Sequence, residues 1–345
     1  MKKKSKYNVA VVGAGAVGIE LLRILRERSF PVGKLRVFAR SERDIAVDGI
    51  KYHVEDISGR EFNDIDIALF AGTEGARGAS VTYSGDFISR GAVVIDNGSD
   101  FRLKDGVPLI VPEANRQEIL NHKGIIANPN CTTIQAVVAL AGIYKKFGIK
   151  RIILVSFQAT SGAGRGAAQA LWDETKEIID KNKNVSFVSI DKRIKKDSFV
   201  LGKQIAFNAI PQIGEFKEKG FTSEEWKVVN EIHKIFNDDS INISATCVRI
   251  PVFTSHSEAV YFETKKEAGL TDILSVLRES DGVALSDDKD YPLAVDVEGT
   301  NFVYVGRARR DISSNNSFWL WVVADNLRKG AALNAVQIAE ELIRG

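Results

Sequence analysis

Residues 7–28 of the chain read YNVAVVGAGAVGIELLRILRER. The first six of these residues have the character of a buried strand, and an amphipathic helical pattern begins after a glycine-rich turn. Gly13, Gly15 and Gly18 give the spacing G-x-G-x-x-G between the strand and the helix. In this strand–turn–helix context the spacing predicts a βαβ unit that binds a dinucleotide.

The three glycines have different predicted roles. Gly13 permits a tight turn, Gly15 lets the backbone approach a pyrophosphate, and Gly18 allows the helix to pack closely on the strand. Backbone amides at the start of the helix, including those of Ala16 and Val17, are expected to hold the phosphates, because a helix N-terminus attracts anions.

The end of the second strand, KLRVFAR at residues 34–40, bears on the choice of cofactor. An NAD-selective site usually has Asp or Glu at this point, where the carboxylate binds the ribose hydroxyls. This chain has Arg40 and Ser41 there, and a guanidinium and a hydroxyl suit the 2′-phosphate of NADP. Glu42 and Arg43 follow directly, so NADP is the expected cofactor and NAD stays open as an alternative.

Length, charge and cysteine content limit the classes of function. A chain of 345 residues suits two domains. Its net charge of +2 gives no electrostatic reason to expect nucleic acid or a membrane surface as a partner. Two cysteines far apart in sequence provide neither a disulfide framework nor a metal-binding spacing, which fits a reducing cytoplasm. The basic start and apolar run of residues 1–22 are not expected to form a signal peptide, because glycines and charged helical residues interrupt them.

The pattern along the chain changes near residue 131. Before it, further strands alternate with helices in DIDIALFA (64–71) and AVVIDNG (92–98), as in a doubly wound parallel sheet. After it come longer β runs with little helix between some of them: RIILVSFQAT (151–160), INISATCVRIPVF (241–253) and SEAVYFET (257–264). We therefore expect an α/β protein with a Rossmann-type domain and an α+β second domain that contains a mixed sheet.

Cys131 lies at the start of an apolar helical pattern, directly after Pro129 and Asn130. Asn130 is a predicted N-cap residue. Cys131 would then occupy the first helical turn, where the helix N-terminus favours the thiolate and lowers the pKa of the thiol. The alternative interpretation, a small buried residue, is the one we expect for Cys247 within a strand pattern. Cys131 is therefore the candidate nucleophile.

A thiolate that forms an acyl intermediate also needs an acid–base partner. His256 lies between two β runs, whereas His53, His122 and His233 lie in polar stretches typical of a surface. Spacing alone leaves open whether His256 reaches Cys131 or is a structural loop histidine. A nicotinamide cofactor together with a cysteine nucleophile indicates interconversion of an acyl phosphate and an aldehyde through a thioester.

From about Asn8 to the C-terminus the chain resembles the aspartate-β-semialdehyde dehydrogenase family, and most of all its bacterial forms. The resemblance is carried by VVGAGAVG, ARS, VVIDNGSDFR, VPLIVPEAN, GIIANPNCTTIQ, FQATSGAG, FNAIPQIGEF, EEWK, SATCVRIPVFTSHSE, YVGRARRD and DNLRKGAA. It implies reversible, NADP-dependent conversion of 4-aspartyl phosphate to aspartate semialdehyde and phosphate. This reaction serves the synthesis of lysine, threonine, methionine and diaminopimelate.

The resemblance also implies a role for each residue of the site. The catalytic residues would be Cys131 as nucleophile, His256 as acid–base and Gln158, which positions the substrate and the thioacyl group. The substrate would be held at its phosphate by Arg102, Asn130 and Lys227, at its α-carboxylate by Arg249 and at its α-amine by Glu224, with the adjacent Glu225 as an alternative. The cofactor would also contact Ser161, Gly162 and Asn326.

The resemblance further implies a homodimer, in some members a tetramer, and gives the domain boundaries. The NADP-binding domain would comprise residues 1–131 and be completed by the C-terminal helix at 326–345, and residues 132–325 would form the catalytic and dimerisation domain. The glycine loop departs from the family pattern Gly-Ala-Thr-Gly-Ala-Val-Gly, since it is one residue shorter and lacks the threonine. This departure bears on the preference between NADP and NAD.

Two alternatives to this function remain. N-acetyl-glutamyl-phosphate reductase uses the same mechanism, but its acylated substrate amine has no charge and would leave Glu224 without a partner. A dinucleotide-binding protein without catalytic activity would have no need of both Cys131 and His256.

Overall fold

The structure, a computed structural model, describes residues 3–72, 75, 78–182, 192–194, 198–287 and 290–344. Within these residues the chain forms two β-sheets, one of seven strands and one of six. Helices cover the first sheet and one face of the second.

The first sheet is doubly wound, as the sequence predicts. Its strands are β1 (Tyr7–Val12), β2 (Val32–Ala39), β3 (Arg43–Val47), β4 (Ile50–Asp56), β5 (Ile67–Phe70), β6 (Val93–Asp96) and β7 (Ile125–Ala127). Their order is β3-β4-β2-β1-β5-β6-β7, and every pairing is parallel except that of β3 with β4. The order reverses beside β1, so a crevice for a ligand is expected at the carboxyl end of that strand.

The second sheet is mixed, which confirms the predicted fold class. Its strands are β8 (Ile149–Gln158), β9 (Asn242–Arg249), β10 (His256–Thr264), β11 (Val283–Leu285), β12 (Val303–Arg310) and β13 (Ser317–Ala324). They lie in the order β11-β12-β13-β10-β8-β9, with parallel pairs at both edges and antiparallel pairs between them.

The α-helices are α1 (Ala16–Glu27), α2 (Ala79–Ser89), α3 (Pro112–Asn115), α4 (Cys131–Phe147), α5 (Arg165–Lys181), α6 (Ser223–Phe236), α7 (Leu270–Glu279), α8 (Ala294–Val297) and α9 (Leu333–Arg344). Helix α4 packs against β8, β10 and β13 on one side and against α3 and α6 on others. Its side chains are apolar almost all round and nearly all buried, which is typical of a helix inside the core.

The end of the described chain returns to the first sheet. A π-helical turn, Arg328–Ala332, leads into α9, which packs on α1 and β6. Side chains of α9 such as Val336 and Ile338 lie in the same buried cluster as Leu21 of α1 and Val11 of β1. The boundary proposed at residue 131 stays a prediction.

Two polar rows lie side by side on the face of the second sheet that packs on α4. Strand register pairs Gln158 with Arg249, and it pairs Ser156 with both Cys247 and Glu258. All five side chains are buried. The first row, Gln158 and Arg249, lies at the carboxyl ends of β8 and β9. The second row, Ser156, Cys247 and Glu258, lies next to the first row, further inside the sheet.

Candidate active site

The glycine loop has the geometry that its spacing predicts. Gly13 has a φ of +111°, and a Cβ there would lie 2.5 Å from the carbonyl oxygen of Ala71. A Cβ on Gly18 would lie 1.8 Å from the carbonyl oxygen of Gly13, so a side chain at this position would separate α1 from the loop. Gly15, the residue before α1, has no atom within 4 Å of its Cβ position and leaves its backbone open.

A cavity of about 1020 Å³ opens over this loop. It is lined by Gly13, Gly15, Arg40, Arg43, Thr82 and Arg165, among others. An open helix N-terminus beside a cavity of this size and three arginines fits the pyrophosphate and an additional phosphate of a dinucleotide.

Ser41 lies outside this cavity and is exposed. Its hydroxyl and its carbonyl both accept hydrogen bonds at 3.1 Å from Nη1 of Arg43. Arg43 and Arg165, which were not predicted, line the cavity instead. Arg43 begins a strand that the sequence pattern did not indicate, and no local signal distinguishes Arg165 from any exposed arginine.

Cys131 is the first residue of α4, and the predicted N-cap is confirmed. The side chain of Asn130 accepts a hydrogen bond at 2.9 Å from the backbone N–H of Thr132. Cys131 lines a second cavity of about 730 Å³, which shares Ala71 and Gly72 with the first cavity. A nucleophile at this position therefore lies next to the dinucleotide cavity.

The net pKa of Cys131 is raised rather than lowered, although the backbone N–H of Thr132 at the helix N-terminus acts in the predicted, lowering direction. Burial raises the pKa of the Cys131 thiol to about 11, and the nearby Glu224 carboxylate adds to the increase. Arg249 and Arg102 act in the opposite direction but do not balance these effects. The sequence shows the helix terminus but not the burial or the acidic neighbour from another helix.

His256 begins β10 and is completely buried. The backbone N–H of Ala159 donates to its Nδ1 at 3.1 Å, so the neutral ring carries its proton on Nε2. Within the described part of the chain Nε2 has no hydrogen-bond partner. Burial and the charge of Arg249 hold the pKa of His256 well below its usual value. His256 is therefore a neutral hydrogen-bond donor.

Gly162 separates His256 from the second cavity. Gly162 lines that cavity, and a Cβ on it would lie 3.0 Å from Nε2 of His256 and 3.0 Å from Nη1 of Arg249. A side chain at position 162 would fill the space beside the ring of His256 and the guanidinium of Arg249. Glycine keeps this space open to the cavity.

Gln158 and Glu224 meet on the wall of the second cavity. Nε2 of Gln158 donates to Oγ1 of Thr132 at 2.9 Å and to Oε1 of Glu224 at 3.3 Å. Glu224 also accepts from Asn130 at 2.9 Å and from Lys227 at 3.3 Å. Burial alone would raise the pKa of Glu224, but Lys227 and the hydrogen bonds outweigh burial and lower it.

Glu225 has a different environment from Glu224. Its carboxylate accepts from the backbone N–H of Thr222 at 2.7 Å in a capping box and from that of Cys247 at 3.0 Å. Glu225 does not line the cavity, so Glu224 is the carboxylate of this pair that faces it.

Arg102 is held on three sides by protein groups. Its guanidinium donates to the carbonyls of Asn128 at 2.9 Å and Asn97 at 2.8 Å, and to the carboxylate of Glu231 at 3.0 Å. Arg249 is also buried, and it donates to the carbonyl of Ala159 at 2.6 Å.

The predicted site residues separate into three groups. The second cavity is lined by Ala16, Val17, Arg102, Asn130, Cys131, Gln158, Ser161, Gly162, Glu224, Lys227, Arg249 and Asn326. The first cavity is lined by Gly13, Gly15 and Arg40. Three predicted residues line neither cavity: Gly18, Ser41 and His256. Ser161 and Asn326 are hydrogen-bonded to each other at 3.0 Å.

Two residues near Cys131 were not predicted. Glu231 follows Glu224 and Lys227 at helical spacing, a signal that could have placed it on the same face of α6. Gly330 belongs to the π-helical turn, and a Cβ on it would lie 3.0 Å from Cβ of Cys131. No sequence pattern indicates that contact.

The residues that the structure describes contain neither a metal-binding cluster nor a membrane-spanning helix. Among these residues no group of three or more His, Cys, Asp or Glu side chains could hold a metal ion. No helix in the part of the chain that the structure describes is long and apolar enough to cross a membrane.

A dinucleotide cavity next to a half-buried cysteine at a helix N-terminus, with cations and a carboxylate around it, defines a cysteine-dependent dehydrogenase. Comparison with known families specifies this class. Residues 8–122 match the model of the semialdehyde dehydrogenase NAD-binding domain, and residues 140–329 match that of the semialdehyde dehydrogenase dimerisation domain. The chain belongs to the aspartate-semialdehyde dehydrogenase family, whose members are oxidoreductases of amino-acid biosynthesis.

Curated relatives and solved structures agree with this family. The chain is 44% identical to the aspartate-semialdehyde dehydrogenase of Bacillus subtilis over 97% of both chains. It is also 44% identical to that of Aquifex aeolicus over 98% of both chains. The crystal structure of aspartate semialdehyde dehydrogenase II from Vibrio cholerae, complexed with ASA, matches with a TM-score of 0.91 and 42% identity over 99% of both chains.

Proposed function

We propose that the protein catalyses the reversible, NADP-dependent reductive dephosphorylation of 4-aspartyl phosphate to aspartate semialdehyde. The observation that carries this proposal is the content of the second cavity. Cys131 lies there with three cationic residues, Arg102, Lys227 and Arg249, and with the carboxylate of Glu224. These groups are complementary to a substrate that carries a phosphate, a carboxylate and an amine.

The charges favour a particular orientation of the substrate. Arg102 and Lys227 would receive the phosphate, Arg249 the α-carboxylate as a bidentate fork, and Glu224 the α-ammonium. The side chain of Asn130 caps α4 through its oxygen and donates one N–H to Glu224, so the second N–H of its amide would be the donor to phosphate. Gln158 would hold the reacting acyl group from the edge of the sheet.

The thiolate of Cys131 attacks the acyl carbon. The bond from that carbon to the phosphate oxygen breaks, phosphate departs, and the acyl group remains bound to Cys131 as a thioester. A dinucleotide held at Gly13, Gly15 and Arg40 would supply the hydride that reduces the thioester carbon. Collapse of the resulting tetrahedral alkoxide breaks the C–S bond, releases the aldehyde and restores the thiolate. The cations offset negative charge on the departing phosphate.

His256 contributes a hydrogen-bond donor in this scheme. Its Nε2–H is oriented toward Gly162, so it can donate to an oxygen that becomes negative in the cavity. Donation of this kind stabilises an oxyanion without full proton transfer. The low pKa of His256 makes it a weak base in the ligand-free protein.

The preference for NADP rests on the arginines of the first cavity. Arg40 and Arg43 line the cavity beyond the end of β2, where a 2′-phosphate would lie. We expect a homodimer built on the dimerisation domain, with a tetramer as the alternative, and no nucleic-acid or membrane partner. We expect the protein to be located in the cytoplasm, because both of its cysteines are free thiols and a reducing compartment keeps them so.

The reverse reaction tests this function. We expect phosphate-dependent formation of NADPH from aspartate semialdehyde, phosphate and NADP, and slower formation of NADH from NAD. Cys131→Ala is expected to lower the rate by at least about 10⁴-fold, because nucleophile and reaction path are lost together. Cys247→Ala is the matched control and should keep most of the activity, because Cys247 lies in the second polar row and outside the cavity.

Three results would contradict the proposal. Turnover that does not require phosphate would exclude the acyl-phosphate product. Phosphate-dependent turnover with N-acetyl-glutamate semialdehyde, at a kcat/KM equal to or above that with aspartate semialdehyde, would favour the alternative reductase. Binding of NADP without any turnover would favour a dinucleotide-binding protein without catalytic activity.

A further inference from the structure

Glu231 joins two parts of the second cavity without lining it. It lies in the middle of α6, and its side chain is 1% exposed. Its Oε1 accepts from the guanidinium of Arg102 at 3.0 Å, and its Oε2 accepts from the backbone N–H of Asn130 at 2.7 Å. One carboxylate therefore binds a cation of the cavity and the N-cap residue of the Cys131 helix.

Helix α6 holds Arg102 at a second point. Nζ of Lys234 donates to the carbonyl of Arg102 at 2.7 Å and to that of Lys104 at 3.0 Å. The backbone of Arg102 and its guanidinium are thus both attached to the helix that carries Glu224 and Lys227.

The two hydrogen bonds of Glu231 fix the distance between the guanidinium of Arg102 and the N-terminus of the Cys131 helix. Charge-assisted hydrogen bonds are short and directional, and a carboxylate that accepts from two donors holds those donors in one relative position. Breaking such a buried pair leaves an uncompensated charge, so Arg102 would take a new position rather than keep its present one. An error of about 1 Å in placing a reacting group costs a large factor in rate.

We propose that Glu231 is a positioning residue that fixes Arg102 relative to the N-terminus of the Cys131 helix and so determines how well the phosphoryl group binds. This inference rests on the proposed function, because that function assigns the phosphate to Arg102. It concerns phosphate more than the rest of the substrate, since Glu231 is hydrogen-bonded to Arg102 and Asn130, both of which the proposed function assigns to the phosphate.

Glu225 offers a matched control on the same helix. It is a buried carboxylate that accepts from two backbone N–H groups, those of Thr222 and Cys247. Neither partner lines the cavity. Glu225→Gln therefore removes a comparable buried charge without disturbing a residue of the site.

The experiment measures KM for phosphate, KM for aspartate semialdehyde, and kcat in the reverse direction, together with the Tm of each variant. We expect Glu231→Gln to raise KM for phosphate about tenfold, with a much smaller change in KM for the semialdehyde. The reason is that the NH2 group of glutamine would face either the guanidinium of Arg102 or the backbone N–H of Asn130, and both of these groups are donors. Glu231→Asp keeps the charge and should recover part of the loss. Glu225→Gln should lower Tm and leave the ratio of the two KM values unchanged.

An unchanged ratio of KM values in Glu231→Gln, or an equal change in Glu225→Gln, would overturn the inference. If Glu231→Gln does not fold, the same comparison is made with Glu231→Asp, for which an unchanged ratio has the same meaning. If the wild type shows no phosphate-dependent turnover, the proposed function fails. Protection of the fold by inorganic phosphate, measured as a rise in Tm, then still tests whether Glu231 determines phosphate binding.

Discussion

At the scale of single residues, the surroundings of Cys131 favour its protonated thiol over the thiolate. The thiol of Cys131 has a pKa of about 11 because it is buried and lies near the carboxylate of Glu224. The helix N-terminus favours the thiolate by about 1 kcal/mol, which is less than the cost of burial. A substrate ammonium paired with Glu224 would cancel the second effect and favour the thiolate when the substrate is present.

Glu224→Gln tests this coupling. Removing the negative charge is expected to lower the pKa of Cys131, so alkylation of Cys131 by iodoacetamide at pH 8 should become several-fold faster in the ligand-free enzyme. The rate is measured by mass spectrometry of the labelled peptide, with Cys131→Ser as the unlabelled control. A rate equal to or below that of the wild type would exclude Glu224 as a cause of the raised pKa.

Residue-scale predictions from sequence succeeded where the interaction is local. The cap of Asn130 on Thr132 and the turn at Gly13 depend on neighbours in the chain, and both have the expected geometry. The pKa of Cys131 and the pairing of Arg102 with Glu231 depend on residues that are distant in sequence, and 129 positions separate the members of that pair. No local pattern contains such information.

At the scale of elements, the second sheet supports the site with a buried polar row. Glu258 of that row is completely buried, and neither of its carboxylate oxygens has a hydrogen-bond partner within the described residues. Burial holds the pKa of Glu258 well above its usual value, with Gln135 acting weakly in the opposite direction. The raised pKa favours the protonated, neutral form of this carboxyl group in the folded protein.

This state makes stability depend on pH. The unfolded chain loses the proton of Glu258 above a pKa of about 4.3, whereas the folded chain keeps it to a higher pH. The free energy of unfolding should therefore fall as the pH rises from the pKa of Glu258 in the unfolded chain to its higher pKa in the folded chain. The fall is up to about 1.4 kcal/mol per pH unit.

Glu258→Gln should remove this dependence, because glutamine does not titrate. We expect its Tm to exceed that of the wild type by an amount that grows as the pH rises above about 4.3. Glu263→Gln, on the same strand but partly exposed, serves as the control and should show no such growth. A constant difference in Tm across the pH range would show that Glu258 is ionised in the folded protein.

The elements themselves could be predicted to different degrees. Strands β1, β8, β9 and β10 and helix α4 have strong apolar patterns, and the sequence placed them correctly. The π-helical turn Arg328–Ala332 could not be predicted, because tertiary ion pairs hold it: Arg328 pairs with Glu20 and Glu27, and Lys329 with Glu113. Strand β3 is short, and its half-exposed residues show little alternation.

At the scale of the whole molecule, the outer face of the second sheet is available for association. Aromatic side chains pair across this face, Tyr261 with Trp319 at 5.3 Å and Phe157 with Trp321 at 5.8 Å between ring centroids. Ile153 lies beside Tyr261 in the register and is 38% exposed. An apolar sheet face of this kind suits a two-fold interface between copies of the chain.

Ile153→Glu should weaken that association. Since a charge in the centre of an apolar interface is costly, we expect the molar mass from light scattering to fall from that of a dimer toward that of a monomer on dilution. Leu120→Glu, at an exposed position on the first half of the chain, is the control and should stay dimeric. A dimer that persists in Ile153→Glu would place the interface elsewhere.

The contact between Gly330 and Cys131 has a consequence for the synthesis of the protein. A ribosome completes the first sheet and exposes Cys131 long before it adds the π-helical turn, and N-terminal parts generally fold first during synthesis. The nascent chain can therefore hold a formed glycine loop and a capped α4 while one wall of the cavity is still missing. Activity should therefore arise only after residues 328–344 have been added and have packed against the first sheet.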